Sequence, residues 1–419
     1  MLTIDPKKWT GEVSMIPSKS IAHRMILLGA VANRPSKIYN FIESDDLRRT
    51  VSAVEEMGAR VKIHGRTLEI EPTRTFQKEP RIDCGESGTT LRLLLPLVAS
   101  LWETSFFTGE GRLPERPLQT LVDVMEENGV QFSRKKLPFK TQGRLRWKKV
   151  SLPGNISSQY ISGFLLSSIF QKEDCEICLT TELESKPYVD LTLEAMETFQ
   201  IRVEETPHGY KIPKNQVPIG NPEIYLEGDW SNGAFFLVAS AIGDGTEISV
   251  KHLDRRSRQG DRKILEILEN FGAEILEDDG ILVKGKNLQG QEIDLREIPD
   301  LLPILAILAT KAHGTTTFIH GERLRYKESD RIQSTKEMIE ALGGVVQETA
   351  DGLKIQGTGG LMGGTVNSYK DHRIAMAAAV ASQICENPVH IIGENAIDKS
   401  YPGFYREIQK LGGKLCPQP

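Results

Sequence analysis

Cysteine is scarce. Cys84, Cys175, Cys178, Cys385 and Cys416 are the five in 419 residues, and an odd, scattered set makes no disulfide framework. Cys175 and Cys178 form a C-x-x-C inside "EDCEICLTT", which alternates like a strand and has no second pair. Structural thiols are a simpler reading than a metal or redox site. Long apolar runs are absent. "MLTIDPKKWTGEV" has no apolar h-region and no stretch nears a membrane span, so a cytoplasmic protein is expected, with no membrane partner. Positive charge is not in excess either: 52 Lys and Arg against 57 Asp and Glu give a formal charge of −5. That excludes a global positive field for nucleic acid, though not a local basic site. No G-x-G-x-x-G follows a strand, and no H-E-x-x-H or EF-hand spacing occurs. "GILVKGKN" (Gly280 to Asn287) lacks the Ser/Thr of a phosphate loop and reads as a hairpin. No metal or cofactor is required.

What is present is a repeat. Hydrophobic residues at 39% and charged residues at 26% describe an ordinary globular chain. Its length exceeds what one core supports, so two domains are expected. An amphipathic helix, a small residue and two short strands recur six times. Examples are "LRRTVSAVEEMGARVKIHG" and "RKILEILENFGAEILEDDGILVKG". The helix-ending residues are Gly58, Gly129, Gln200, Gly272, Gly343 and Gly412, at intervals of 71, 71, 72, 71 and 69. Glycine at five of them fits a left-handed cap.

Between them lie helices apolar on all sides, starting near Ser20, Gly88, Ser157, Ser231, Asp300 and Asp371. Such helices are buried. Each unit therefore reads β-α(buried)-β-α(amphipathic)-β-β, and three units per domain make two α/β domains. Every buried helix begins with a polar cluster. Lys19, Arg24, Arg92, His372 and Arg373 fall in leading turns, where a charge is costly unless paired or facing a ligand. Helix N-termini attract anions, so these turns suit anion binding.

"PSKSIAHR", "GESGTTLR", "GEGRLPERPL", "SSQY", "SKPYVD", "EGDWSNGAFF", "IPDLLP", "KESDRI", "DHRIAMA" and "DKSYPGF" span nearly the whole chain. In this order they resemble the 5-enolpyruvylshikimate-3-phosphate synthase family of enolpyruvyl transferases. The resemblance implies two domains of three βαβαββ units about an interdomain cleft: residues 15–227, and 1–14 plus 228–419. It implies transfer of the enolpyruvyl group of phosphoenolpyruvate to the 5-hydroxyl of shikimate 3-phosphate, on the way to chorismate and aromatic amino acids. A monomer acting on small molecules is expected.

Carried over by position, the resemblance implies that Lys19 touches both substrates and belongs to the catalytic set with Asp300 and Glu328. Ser20, Arg24, Ser157, Ser158, Gln159, Ser185, Asp300 and Lys327 would hold shikimate 3-phosphate. Gly88, Arg112, Gln159, Arg331, Arg373 and Lys399 would receive phosphoenolpyruvate. Asp300 would act on the 5-hydroxyl proton and Glu328 on the C3 proton. The chain departs from the family at Glu86-Ser87, where Asn-Ala is common, and at Arg323, where many members have Asn. A UDP-N-acetylglucosamine enolpyruvyl transferase is the alternative, but that family places a cysteine in the loop matching "GEGRLPERP" and Lys-Asn at Lys19-Ser20. A non-catalytic anion-binding repeat protein would not need both Asp300 and Glu328.

Overall fold

The computed structural model describes residues 1–75 and 79–417. Along them run α1 (Lys19–Val31), α2 (Asp45–Glu56), α3 (Gly88–Leu101), α4 (Gln119–Glu127), α5 (Ser158–Ser168), α6 (Lys186–Thr198), α7 (Trp230–Ile242), α8 (Ile264–Asn270), α9 (Leu302–Lys311), α10 (Arg331–Ala341), α11 (His372–Ala381) and α12 (Phe404–Lys410). Odd-numbered helices are buried almost all round, as the unbroken buried runs Ile21 to Val31 in α1 and Leu302 to Thr310 in α9 show. Even-numbered helices bury one stripe, which in α2 is Leu47, Thr50, Val51, Ala53 and Val54. The buried helices cover one another: α3 packs on α5, and α11 on α9 and α7.

All six helix-ending residues take positive φ, from 63° at Gln200 to 100° at Gly58. After five of them the next N–H reaches back five residues, as Ala59 to the Val54 carbonyl at 3.0 Å and Ile201 to Met196 at 2.8 Å. That closure satisfies carbonyls the helix leaves open. The left-handed turn is thus what each repeat requires, and glycine is its cheapest residue.

The described residues form six four-stranded sheets, and the second, third and fifth repeats each build one alone, in the spatial order first, second, fourth, third. In the fifth repeat Glu292–Asp294 lies parallel to Thr315–Ile319. The latter pairs antiparallel with Leu353–Gln356, which pairs antiparallel with Val345–Glu348. A parallel pair needs a crossover, and the buried helix supplies it. Leu353 and Ile355 face the core, while Lys354 and Gln356 face solvent. The Gly280–Gly285 segment is a hairpin strand paired with Ala273–Asp278. Cys175 opens a strand, and burial pushes its thiol up to about 12, so it is an inert core residue.

The repeat predicts six βαβαββ units, and in three places a strand joins the sheet of another unit. Thr10–Ser14, just before α1, pairs parallel with Glu247–Lys251 of the fourth repeat. Ile224–Tyr225, just before α7, pairs parallel with Ser36–Tyr39 of the first. The first and fourth repeats therefore exchange their leading strands. Leu2–Ile4 inserts between Val389–Ile392 and Leu415–Pro417, completing the sixth sheet. Periodicity predicts that a strand exists, whereas its partner is whichever sheet edge the tertiary fold leaves open. A smaller difference concerns Asp300: Pro299–Leu301 form a 3₁₀ turn and α9 begins only at Leu302.

The chain divides into two compact units, Met1–Ile16 with Glu227–Pro419, and Pro17–Leu226. Each has its own core. Trp230, Phe235, Phe236, Leu305 and Met376 belong to one, and Leu94, Tyr160, Phe164 and Met196 to the other.

Candidate active site

In the unit Pro17–Leu226, polar side chains gather at the leading turns of the buried helices. Ser18 and Ser157 stand at the N-caps of α1 and α5, yet neither side chain makes a cap bond. Ser18 Oγ is buried without a hydrogen-bond partner among the described residues. Helix α3 is closed instead by Ser87, whose Oγ accepts from the Thr90 N–H at 3.2 Å. The two helices carrying Lys19-Ser20 and Ser157-Ser158 are thus the ones whose caps leave first-turn N–H groups to other acceptors.

Arg24 is 1% exposed. Its Nε donates to Thr192 Oγ1 at 2.7 Å, Nη1 to the Ser20 carbonyl at 2.6 Å and Nη2 to the Tyr188 carbonyl at 2.8 Å. All three acceptors are neutral, and no carboxylate among the described residues pairs with it. Burial pulls its pKa down to about 10, with Tyr188 opposing. A buried cation answered only by dipoles attracts an anion. Lys19 Nζ contacts Asp46 Oδ2 at 2.6 Å. Below them His23 Nδ1 shares a hydrogen bond with Thr50 Oγ1 at 2.7 Å, which continues to Thr90 and Ser87. Burial first, then Lys19 and Arg24, hold the imidazole well below its ordinary range.

Gln159 links α5 to α3, accepting from Arg92 Nη1 at 3.2 Å and donating to Thr89 Oγ1 at 2.9 Å. A Cβ at Gly88 would lie 2.5 Å from Arg92 Nη1 and 2.9 Å from Arg116 Nη1, so a side chain here would displace both guanidiniums. Ser185 stands at the N-cap position of α6 with φ 54°, one turn before Tyr188. Hydrogen bonds therefore join the elements that carry Ser20, Arg24, Gly88, Ser158, Gln159 and Ser185. Arg112 stays outside, at the N-cap of the 3₁₀ turn Leu113–Glu115 with its side chain half-exposed and Nε 3.9 Å from Glu115.

In the unit containing Glu227–Pro419 the hub is Arg331, 1% exposed. Nη1 donates to Asp300 Oδ1 at 2.7 Å, Nη2 to Glu328 Oε2 at 2.6 Å and Nε to Asp371 Oδ2 at 2.9 Å. Burial opposes its charge, but Asp371, Glu328 and Asp300 outweigh burial and hold the guanidinium protonated. Asp300 also meets Lys327 Nζ at 3.4 Å and Arg373 Nη2 at 3.1 Å. Asp371 caps α11, accepting from the Arg373 N–H at 3.0 Å. Lys399 Nζ donates to the Lys370 carbonyl at 2.9 Å. Tyr369 and Lys370, at φ 52° and 57°, hold two successive left-handed turns ahead of α11. Such a conformation persists only where surroundings enforce it.

The sequence reading missed several supports: Asp46 under Lys19, Tyr188 and Thr192 around Arg24, Arg116 beside Gly88, and Asp371 anchoring Arg331. Asp371 and Arg116 lie inside "DHRIAMA" and "GEGRLPERPL", which was the available signal. Thr192 is 168 residues from Arg24, and no local pattern marks it. Of the two departures, Glu86 leans on the backbone at Gly111, where a Cβ would collide with its carboxylate. Arg323 donates to the Arg296 carbonyl at 3.0 Å. Among the described residues no three His, Cys, Asp or Glu side chains gather as a metal site, and no helix is long and apolar enough to cross a membrane.

The family profile described as EPSP synthase (3-phosphoshikimate 1-carboxyvinyltransferase) matches residues 4–408. The 3-phosphoshikimate 1-carboxyvinyltransferase of Clostridium kluyveri is 38% identical over 418 residues, covering 99% of this chain and 98% of that protein. The one from Clostridioides difficile is 38% identical over 432, again covering 99% and 98%. The structure of EPSP synthase from Acinetobacter baumannii superposes with a TM-score of 0.82 at 25% identity, covering 99% of both chains. NikO, an enolpyruvyl transferase from Streptomyces tendae, shares the fold at 0.82 with 16% identity, covering 99% and 98%. Matched over nearly its whole length, this chain belongs to the EPSP synthase (3-phosphoshikimate 1-carboxyvinyltransferase) family, transferases of the shikimate pathway that move the enolpyruvyl group of phosphoenolpyruvate onto shikimate 3-phosphate.

Proposed function

We propose that Asp300 and Glu328 carry the proton transfers of this reaction. The observation supporting them is their shared anchor: two neighbouring nitrogens of one buried guanidinium, Arg331, each hold one carboxylate. Both remain reachable, at 15% and 20% side-chain exposure. In the addition step the 5-hydroxyl oxygen bonds to C2 of phosphoenolpyruvate, Asp300 takes the hydroxyl proton and Glu328 gives a proton to C3. In the elimination step C3 returns a proton, the C2–O bond to phosphate breaks, and enolpyruvyl product and phosphate leave. Proton flow reverses between the steps, which is why carboxyl groups are needed on both sides.

Arg24, Ser20, Ser157, Ser158, Gln159, Ser185 and Lys327 serve shikimate 3-phosphate. Arg24 supports that assignment, since an anion is the partner its neutral contacts lack. Gly88, Arg112, Gln159, Arg331, Arg373 and Lys399 serve phosphoenolpyruvate, and Lys19 serves both. The substrate carboxylate competes with Asp300 for Arg331 and Arg373. Each cation it draws away leaves Asp300 more charge to meet the 5-hydroxyl proton. The protein acts as a monomer in the cytoplasm on these two small molecules.

Asp300→Ala and Glu328→Gln should each lower kcat by about 100-fold or more, the scale of a general acid or base. Phosphate release from the two substrates reads this, with circular dichroism showing each variant folded. Turnover close to wild type in either variant removes that residue from the mechanism.

A further inference from the structure

The mechanism leaves one chain of buried hydrogen bonds unused. Lys19 and His23 lie one turn apart on α1, and Asp46 and Thr50 one turn apart on α2. The two helices meet there in two rungs, Lys19 with Asp46 at 2.6 Å and His23 Nδ1 with Thr50 Oγ1 at 2.7 Å. From the second rung the chain runs on to Thr90 in the first turn of α3 and to Ser87 at its N-cap. His23, Thr50, Thr90 and Ser87 are all buried. Counting protons gives the chain a direction. Ser87 Oγ accepts from the Thr90 hydroxyl at 2.8 Å. That is the only proton the Thr90 hydroxyl has, so in its 2.7 Å contact with Thr50 it accepts and Thr50 donates. The Thr50 proton is then spent, and the bond to His23 is donated by the imidazole Nδ1–H. In the neutral ring Nε2 is left as a lone pair, buried without a hydrogen-bond partner among the described residues. Each bond depends on the one before it, and burial keeps bulk water from replacing one that is lost.

We propose that His23, Thr50 and Thr90 are positioning residues for phosphoenolpyruvate: their chain sets the first turn of α3, and through it the Gly88 backbone and Gln159. This rests on the assignment of Gly88 and Gln159 to phosphoenolpyruvate. From α5, Gln159 donates to Thr89 Oγ1 at 2.9 Å, so the turn is held by α2 through Thr90 and by α5 through Thr89. Shikimate 3-phosphate has a separate support. Arg24 is held by Thr192 and the Tyr188 carbonyl of α6 and by the Ser20 carbonyl of α1, none of which belongs to the chain. Breaking the chain at Thr50 frees the α3 turn and leaves those bonds in place. It therefore weakens phosphoenolpyruvate binding and spares shikimate 3-phosphate.

The test is Thr50→Val, which keeps the shape of the side chain and removes its hydroxyl. KM for phosphoenolpyruvate at saturating shikimate 3-phosphate should rise about three- to tenfold, the scale of one buried hydrogen bond. The kcat, and the Kd of shikimate 3-phosphate alone from calorimetry, should stay close to wild type. Thr50→Ser restores the hydroxyl and should restore KM. Thr90→Val breaks the chain from the α3 side and keeps the test open if Thr50→Val folds poorly. It should raise KM in the same way. The double variant should be no worse than the worse single, because both act through one chain.

Threonines that served only to hold the fold would lower the urea midpoint and leave KM alone, and an unchanged KM in both single variants overturns the proposal. So does a Kd for shikimate 3-phosphate that rises as much as KM, a Thr50→Ser variant that fails to restore KM, or a double variant in which the two effects multiply. Gly88→Ala, measured alongside, reads the underlying assignment. An unchanged KM for phosphoenolpyruvate there overturns that assignment and this proposal with it. A raised KM in Gly88→Ala with both threonine variants unchanged overturns this proposal alone.

Discussion

At the residue scale, the informative positions are charges where a helix should be apolar. Lys19, Arg24, His372 and Arg373 stand out in the sequence because each is expensive to bury. What holds them does not stand out: Asp46, Thr192 and Asp300 lie 27, 168 and 73 residues away. His23 shows the consequence. Its imidazole is kept neutral by burial, then by Lys19 and Arg24, whereas in the unfolded chain it takes a proton below about pH 6.5. Below that pH the unfolded state binds more protons than the native state. Stability therefore falls as pH drops from about 6.5 towards 5, by up to about 1.4 kcal/mol per pH unit from this group. His23→Gln should flatten that part of the dependence, read from urea midpoints at several pH values. Parallel profiles for variant and wild type would mean that His23 is protonated in the fold.

At the scale of elements, the seventy-residue period was legible because two kinds of helix, one striped and one apolar throughout, alternate with a left-handed stop between them. Gln200 is the exception that makes the stop testable. It sits at φ 63° with an exposed side chain, where the other five repeats have glycine. A side chain in this conformation costs about 1 kcal/mol that glycine does not. Gln200→Gly should therefore raise unfolding stability by about 0.5–1 kcal/mol. Denaturant titration reads the change, and a loss of stability would show that Gln200 makes a compensating contact. The state of the N-caps was less legible. Ser18 and Ser157 look like ordinary caps, and only the fold shows that their side chains cap nothing.

For the whole molecule, strand exchange decides which residues carry the core. Ile4 sits near the start of the chain, yet it is fully buried in an inner strand of the sixth sheet, with strands on both sides. Ile4→Ala should cost about 2–5 kcal/mol, the range for a buried aliphatic truncated in a packed core. Ile63→Ala, on a 38% exposed position of an outer strand, should change stability by about 0.5 kcal/mol or less. Equal effects in urea unfolding would contradict the assignment of Leu2–Ile4 to the interior of a sheet.

By itself the sequence determined the repeat, the two helix types, the left-handed stops and the charged first turns of the buried helices. All of these rest on interactions within a few turns of chain: helical spacing, capping and the cost of burying a charge. Only the tertiary structure decided that Thr10–Ser14 and Ile224–Tyr225 trade sheets, that Leu2–Ile4 completes the last one, and that Arg331 gathers Asp300, Glu328 and Asp371. A strand's alternation is the same whichever edge it joins, and a buried arginine announces that it needs partners without naming them. Those choices depend on which edges and which carboxylates are left facing one another once the buried helices have packed.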